Sequence, residues 1–390
     1  FDIEAFKQDE FDENKSWKST TYIAPEGSRL GFYQAGLRKM IKPIYTRVEV
    51  RDEEPVLVYD GELYFFLDEL NFTALNKKGF NRLVKQENHF SYAFLQKGKW
   101  GLLYPSDYNT VEIMVKNKYE GIKSISAENE RTLIKKAGKW GIIDYRGKEL
   151  LKPIYDEIKA RYSYSDNTSR WAPVRLADKW GLLEIEEECL ELALPIEYDA
   201  VEVIGDKLVQ VTKNGKVGIL SIPECYERNE SKEKPVVILP LEYEAVLPVK
   251  ANITIVFGED DFTETPILTL SENMRILVKK GKKGLYSYPD FKEIIPIKYD
   301  SFDLDYGFEY NRLKHYFVLA YSDGKTAVYN RSDDTFTEVM AAKYDKVEWL
   351  SNKYMKVFED DKAGLYDLLE KTIVVVPAYD DLSLKTIQSN

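Results

Sequence analysis

Two histidines, His89 and His315, and two cysteines, Cys189 and Cys225, are all the imidazole and thiol that the 390 residues offer. His89 lies in NHFSY and His315 in KHYFV, neither beside a serine or cysteine that would suggest a catalytic triad. Four such ligands, far apart, do not make a zinc cluster or a disulfide framework. Carboxylates are plentiful but poorly arranged. Asp300, Asp303 and Asp305 precede Gly307, yet they lack the alternating spacing and distal glutamate of a calcium loop. That group, Glu259-Asp260-Asp261 and Glu359-Asp360-Asp361 read as solvated loops. No glycine-rich phosphate loop is present. One pair of reactive types does recur: Tyr155-Asp156, Tyr198-Asp199, Tyr299-Asp300, Tyr344-Asp345 and Tyr379-Asp380. A pair so often repeated is structural, with the tyrosine buried and the aspartate accepting turn amides. No catalytic, cofactor or metal residue is assigned, and the chain reads as a non-enzyme without a cofactor.

The recurrence leads to the elements that position these residues. Lys-Trp-Gly occurs three times, with Gly101, Gly141 and Gly181 spaced forty residues apart. Each copy is followed by a second landmark, as in KPIYD at 152–156 and PIEYD at 195–199. Weaker copies keep the glycine as Gly218, Gly284 and Gly364, or the tyrosine as Tyr45, Tyr243 and Tyr344. Eight copies run from about residue 30 to the end of the chain. In the clearest one, residues 132–136, 140–145 and 149–155 read as strands separated by Gly138 and Gly147 turns, and 156–160 as a short fourth strand. Pro153 marks the third as an edge or an ending. The glycine after each tryptophan predicts a close approach, attributed to an aromatic ring of the neighbouring unit. The tryptophans read as core rather than as a sugar-binding row.

The expected fold is therefore all-β, a tandem array of about eight units forming an open curved meander or solenoid, the alternative being a seven- or eight-bladed propeller. Residues 1–29 read as an acidic arm and 30–390 as the repeat domain. Insertions are expected near 46–90, 224–235 and 257–266; the first reads as an extra hairpin closed at Asp60-Gly61 or as a diverged ninth repeat. Cys189 and Cys225 follow Gly181 and Gly218 at similar distances. They are expected to remain reduced and act as small apolar residues, whereas a disulfide would imply an oxidising compartment.

The landmarks Gly-Lys-Trp-Gly-Ile-Ile-Asp at 138–144 and Pro-Ile-Tyr-Asp at 153–156 resemble the bacterial WG repeat, also called KWG. The resemblance covers about 360 residues and is weaker in the last three copies, where the tryptophan is missing. It implies tandem β-repeats with an interaction role and no catalytic residues to carry over.

A net charge of −11 argues against nucleic acid or an anionic membrane as partners. No run of about 18 apolar residues suggests a membrane span. The first residues, FDIEAFKQDE, contain no apolar signal core, which favours a cytoplasmic location unless a leader precedes Phe1. A protein-interaction scaffold is the favoured function. A carbohydrate or cell-envelope binding module is the alternative, and an enzyme with a site between units comes last. Recognition should use what differs between units. The candidate surface is Tyr59, Asp60, Glu62, Tyr64, Phe65, Phe66, Asp68 and Glu69, aromatics within an acidic rim suited to a partner with a basic patch.

Overall fold

The computed structural model describes residues 21–383 except 35–38, 50–53, 69–71, 87–90, 108, 126–130, 161–169, 187–188, 250–272, 311–312, 333–334 and 352. Glu69, His89 and the 257–266 insertion lie outside the described residues, as does the His315 side chain. Thirty-four strands and one helix, Cys225–Glu230, make up the regular structure among the described residues. The strands form nine antiparallel sheets in chain order, seven four-stranded and two three-stranded. The chain divides into two compact units, Phe1–Ile196 and Glu197–Asn390. Sheets 1 to 4 and sheet 5 as far as Ile196 belong to the first, and sheets 6 to 9 to the second.

Sheet 4 shows the plan. Its strands a (Gly121–Ser124), b (Thr132–Lys136), c (Lys139–Ile143) and d (Glu149–Tyr155) pair in that order. Strands b and d match the sequence expectation. The short strand after Tyr155 does not belong to this unit. Glu157–Ile158 pairs with Trp171–Leu176 and is strand a of sheet 5. From sheet 3 onward the chain thus leaves each sheet at a Tyr-acid corner, and sheets 3 to 8 lead directly into the next sheet.

Hairpin b–c turns on two residues, and the turns are left-handed. Ala137 and Gly138 have φ of 50° and 74°, and the same hand recurs at Lys97, Asn214, Lys280, Asp323 and Asp360. Positive φ at both central residues matches the twist of the flanking strands.

Within each unit, consecutive sheets enclose one apolar cluster. Ile134 and Ile143 face Leu102 and Tyr119 of sheet 3, whereas Leu133 and Ile142 face Ala172, Val174 and Leu183 of sheet 5. Strands covered on both faces read as continuous apolar runs rather than as alternation. This explains KWGLL and KWGII.

The 46–90 region is a ninth sheet. Its strands a (Arg47–Glu49), b (Val56–Tyr59) and c (Tyr64–Leu67) pair in order, and strand d is reduced to bridges Tyr64↔Phe80 and Leu67↔Ala74. The segment taken as an arm also contributes, because Thr21–Glu26 pairs with Arg29–Gln34 in sheet 1. The 224–235 insertion, expected as a loop, contains the helix. Its capping box is formed by Glu224 and Glu227. Both cysteines are disulfide-bonded, correcting the expectation of free thiols. Equal offsets from the landmark glycines did not give equal places. Cys189 opens a strand, Cys189–Tyr198, and Cys225 opens the helix.

Candidate functional site

The glycine landmark is a backbone contact. A Cβ on Gly141 would stand 2.5 Å from the Leu151 carbonyl oxygen and 2.7 Å from the Pro153 nitrogen. Strand c pairs with d here across a register shift, Trp140 facing Tyr155 and Ile142 facing Leu151. The same carbonyl approach recurs at Gly31, Gly101, Gly181, Gly218, Gly284 and Gly364, at 2.3–2.9 Å. The expectation of equivalent glycines holds. Its stated cause does not, because the crowding comes from the unit's own strand d, joined at Gly101 by the Phe94 ring of the same unit's strand b at 2.6 Å, and not from a ring of the neighbouring unit. In sheet 8 a fully buried Ala327 takes the position.

The tryptophans are half-buried rather than core. Trp100 and Trp140 pack against the clusters on their sheets. Lys135 lies 5.5 Å from the Trp140 ring centre and Lys159 lies 4.1 Å from that of Trp180. Cations of the repeat itself thus lie over two of these rings.

The Tyr-acid corner joins successive sheets. Tyr119, Tyr155, Tyr198, Tyr243, Tyr299 and Tyr344 are 1–8 % exposed. The following acid has two partners. Asp156 accepts from Lys139 of its own sheet and, at 2.8 Å, from the Ala177 amide in the left-handed turn of the next. Asp300 accepts from Lys282 at 2.7 Å and from the Asp323 amide at 2.8 Å. Asp345 accepts from Lys325 at 2.6 Å and from the Asp360 amide at 3.0 Å. Glu120 takes the Gly138 amide at 2.9 Å, with Lys99 at 3.7 Å. Glu244 takes the Lys280 and Gly281 amides at 2.9 and 3.0 Å. Lys139 and then the Ala177 amide hold the Asp156 carboxyl below its ordinary range. The corresponding lysine and turn amide lower Asp300 and Asp345 in the same way. A carboxylate so held is a structural anion and not a proton donor near neutral pH.

Members of two of the acidic groups fall into the same scheme, while Glu259-Asp260-Asp261 lies outside the described residues. Asp360 and Asp361 form a left-handed turn, and Asp300 is a corner acid. Asp303 lies in a strand, Ser301–Tyr310, rather than in a loop, since that segment is strand a of sheet 8. One further polar cluster joins two sheets. The Tyr299 hydroxyl lies 2.7 Å from that of Tyr329, which donates to Glu338 at 2.7 Å. Burial and then those hydrogen bonds push the Tyr329 phenol up, so it stays protonated.

The candidate partner surface is only partly a surface. Phe66 is fully buried between sheets 2 and 3, and Phe65 packs against the cluster between sheets 1 and 2. Strand alternation sends the two neighbouring rings into opposite clusters, so a run of aromatics could not all face solvent. Asp60 binds the Glu62 and Leu63 amides, each at 2.8 Å, and closes the hairpin. Asp68 is half-buried. What faces solvent is the hairpin tip, with Glu62 exposed beside half-buried Tyr59 and Tyr64, whose rings lie 4.5 Å apart.

Sequence reasoning missed how sheet 2 replaces the landmarks. Tyr64 faces Phe80 as Trp140 faces Tyr155, so Phe80-Asn81 is its corner. The Asn81 amide donates to the Leu95 carbonyl as the Asp156 amide donates to that of Arg175. The glycine stands instead on the returning segment: Gly79 has φ 60°, and a Cβ on it would meet side chains rather than backbone, Leu63 Cβ at 2.8 Å and Phe65 Cζ at 2.9 Å. Asn76 supplies part of the missing strand, accepting from the Phe66 amide at 2.7 Å and donating to the Tyr64 carbonyl at 2.9 Å.

Residues 140–180, from the tryptophan of sheet 4 to that of sheet 5, match the family model described as WG containing repeat. The chain carries the WG repeat. The other sheets repeat its geometry beyond the matched residues, through the glycine contacts and corner acids above. No curated protein matches the WG-repeat chain. Among solved structures it is similar to Kluyveromyces lactis Hsv2 at 8 % identity, covering 73 % of this chain and 92 % of that one, with a TM-score of 0.28. Apo AztD from Citrobacter koseri is 12 % identical, with 84 % and 92 % covered and a TM-score of 0.22. Porphyromonas gingivalis dipeptidyl peptidase 4 is 8 % identical, with 93 % and 59 % covered and a TM-score of 0.28. Likeness this low fixes neither how the WG sheets are arranged nor what they do.

Proposed function

We propose that this WG-repeat chain is a non-enzymatic protein-interaction scaffold. The observation that supports it most is the commitment of the repeated polar groups. At five junctions the corner acid binds the turn of the next sheet, and at all five a lysine of its own sheet lies within 3.9 Å of it. Groups so used hold sheets together and leave recognition to the places where the repeat departs from itself. The sheet 2 hairpin is such a place. Its four-residue tip carries exposed Glu62 against the stacked Tyr59–Tyr64 pair, and a partner with a basic patch suits it. The carbohydrate reading has less behind it, because Trp140 and Trp180 lie beneath the chain's own lysines.

Affinity capture from native lysate tests this reading, using wild type and the Glu62→Lys variant at low and high salt. A partner lost in the variant and weakened by salt, with the melting temperature unchanged, is expected. Capture unaffected by Glu62→Lys removes the hairpin as the site. Absence of any salt-sensitive partner overturns the scaffold reading.

A further inference from the structure

The last corner differs from all the others. Tyr379 is 54 % exposed, whereas its six four-stranded-sheet equivalents are 1–8 % exposed. Asp380 receives Lys362, as its equivalents receive their lysines, and its side chain is 93 % exposed. Among the described residues no turn amide reaches its second oxygen. Nearby Val374 and Val376 on strand d of sheet 9 are 52 % and 64 % exposed. The corner is nonetheless held in place, because Lys356 pairs with the adjacent Asp381.

Sheet 1 shows the reciprocal gap. Its order begins at Thr21–Glu26, which by its pairing is strand b, so among the described residues this sheet shows no strand a of the kind that the other eight receive from the preceding corner. Its hairpin turns on Gly27-Ser28 between the Glu26↔Arg29 pair, with Gly27 at φ 58°. The hairpins that corner acids bind elsewhere are built alike, as in Lys136↔Lys139 about Ala137-Gly138. Superposing the two registers places the Asp380 amide opposite the Pro25 carbonyl, as the Glu120 amide meets that of Lys135. Pro25 has no donor for a long added strand. Pro173 in sheet 5 is comparable, and there a two-residue strand a suffices, with the Lys159 amide reaching the Pro173 carbonyl at 2.9 Å.

We propose that the Tyr379–Asp380 corner of one copy binds the first hairpin of a second copy, Tyr379 covered by sheet 1 and Asp380 accepting the Gly27-Ser28 turn amides. The contact is heterologous: each copy offers a different surface at each end, so association proceeds head to tail. It does not depend on the partner proposed above, since Glu62 takes no part.

Sedimentation velocity of the full chain over a wide concentration range tests this, with Asp380→Lys and Ser28→Glu as blocked-end variants. Both sites are exposed, and unchanged circular dichroism and melting temperature check the fold. The wild type is expected to gain mass with concentration, and each variant to associate about tenfold more weakly or worse. An equimolar mixture of the two is expected to recover dimers, because the intact corner of Ser28→Glu meets the intact hairpin of Asp380→Lys. A wild type that stays monomeric, variants that associate like wild type, or a mixture that stays monomeric would each overturn the proposal.

Discussion

Sheets 4 and 2 reach one architecture through different letters. In sheet 4, glycine on strand c lets the carbonyls of strand d come close, and the corner is Tyr155-Asp156. In sheet 2 the strand c position holds Phe65, the glycine has moved to the returning segment as Gly79, and the corner is Phe80-Asn81. What persists is the register at the crossing, together with the amide that ties the corner to the next hairpin. The repeat is a rule about the register at which two segments cross, met in sheet 4 by a glycine under the backbone of strand d and in sheet 2 by a glycine under the side chains of Leu63 and Phe65. A strict Trp-Gly pattern is one solution among several.

The largest test of that rule is Gly141→Val. Its side chain would have to displace the backbone of strand d, and a loss of about 2–4 kcal/mol is expected in chemical denaturation. Phe65→Val, at the corresponding place in sheet 2, removes ring atoms and introduces no clash with strand d. A midpoint unchanged by Gly141→Val would break the comparison. Asn76→Ala sharpens it from the other side. Removing the amide that stands in for strand d leaves the Phe66 amide and the Tyr64 carbonyl without that partner, at a cost of about 1–3 kcal/mol. A substitution that proves neutral would mean the two bridges alone carry that edge.

The smallest effect concerns charge. Asp156 has a folded pKa below its unfolded value of about 3.9, so the unfolded chain binds more protons in acid. Its contribution is present above that unfolded value and disappears as pH falls through the folded one. Sheet 2 carries Asn81 at this place and has no such dependence. The protection factor of the Ala177 amide, its exchange rate taken relative to the intrinsic rate at each pH, should therefore fall on acidification, and Asp156→Asn should remove most of that fall. An equal fall in protection in the variant would show that the carboxylate does not secure the turn.

Much of this was legible. The three strands around Gly138 and Gly147 followed from turn residues and apolar runs, and the Tyr-Asp pair read correctly as buried ring and turn acceptor at Tyr155-Asp156, Tyr299-Asp300 and Tyr344-Asp345, though not at the exposed Tyr379-Asp380. The link from Asp156 to the Ala177 turn was not legible, because it needs the phase between two sheets and not only the spacing within one. Phe65 and Phe66 were misplaced for a related reason. A strand covered on both faces shows no alternation, so nothing in YFFL separates a surface ring from a buried one. Thr21–Glu26 was hidden by an acidic neighbourhood whose sequence carries no landmark. The helix at Cys225 lay in a charged insertion whose capping box, Glu224 and Glu227, was the available signal.

The corners also bear on how such a chain can lengthen. The chain passes from sheet to sheet between strand d and the next strand a, so a stretch copied from one left-handed turn to the next includes half of two sheets. Inserted at a turn, that stretch restores a complete sheet on each side and puts every acid one hairpin away from its turn. Inserted at a corner, a stretch cut from acid to acid does the same. A cut whose two ends fall at different places in the repeat leaves an acid without a turn or a turn without an acid. Copy number can therefore change only in whole steps, and a length error of a few residues falls in loops such as the one between strands a and b, where no corner contact is measured out.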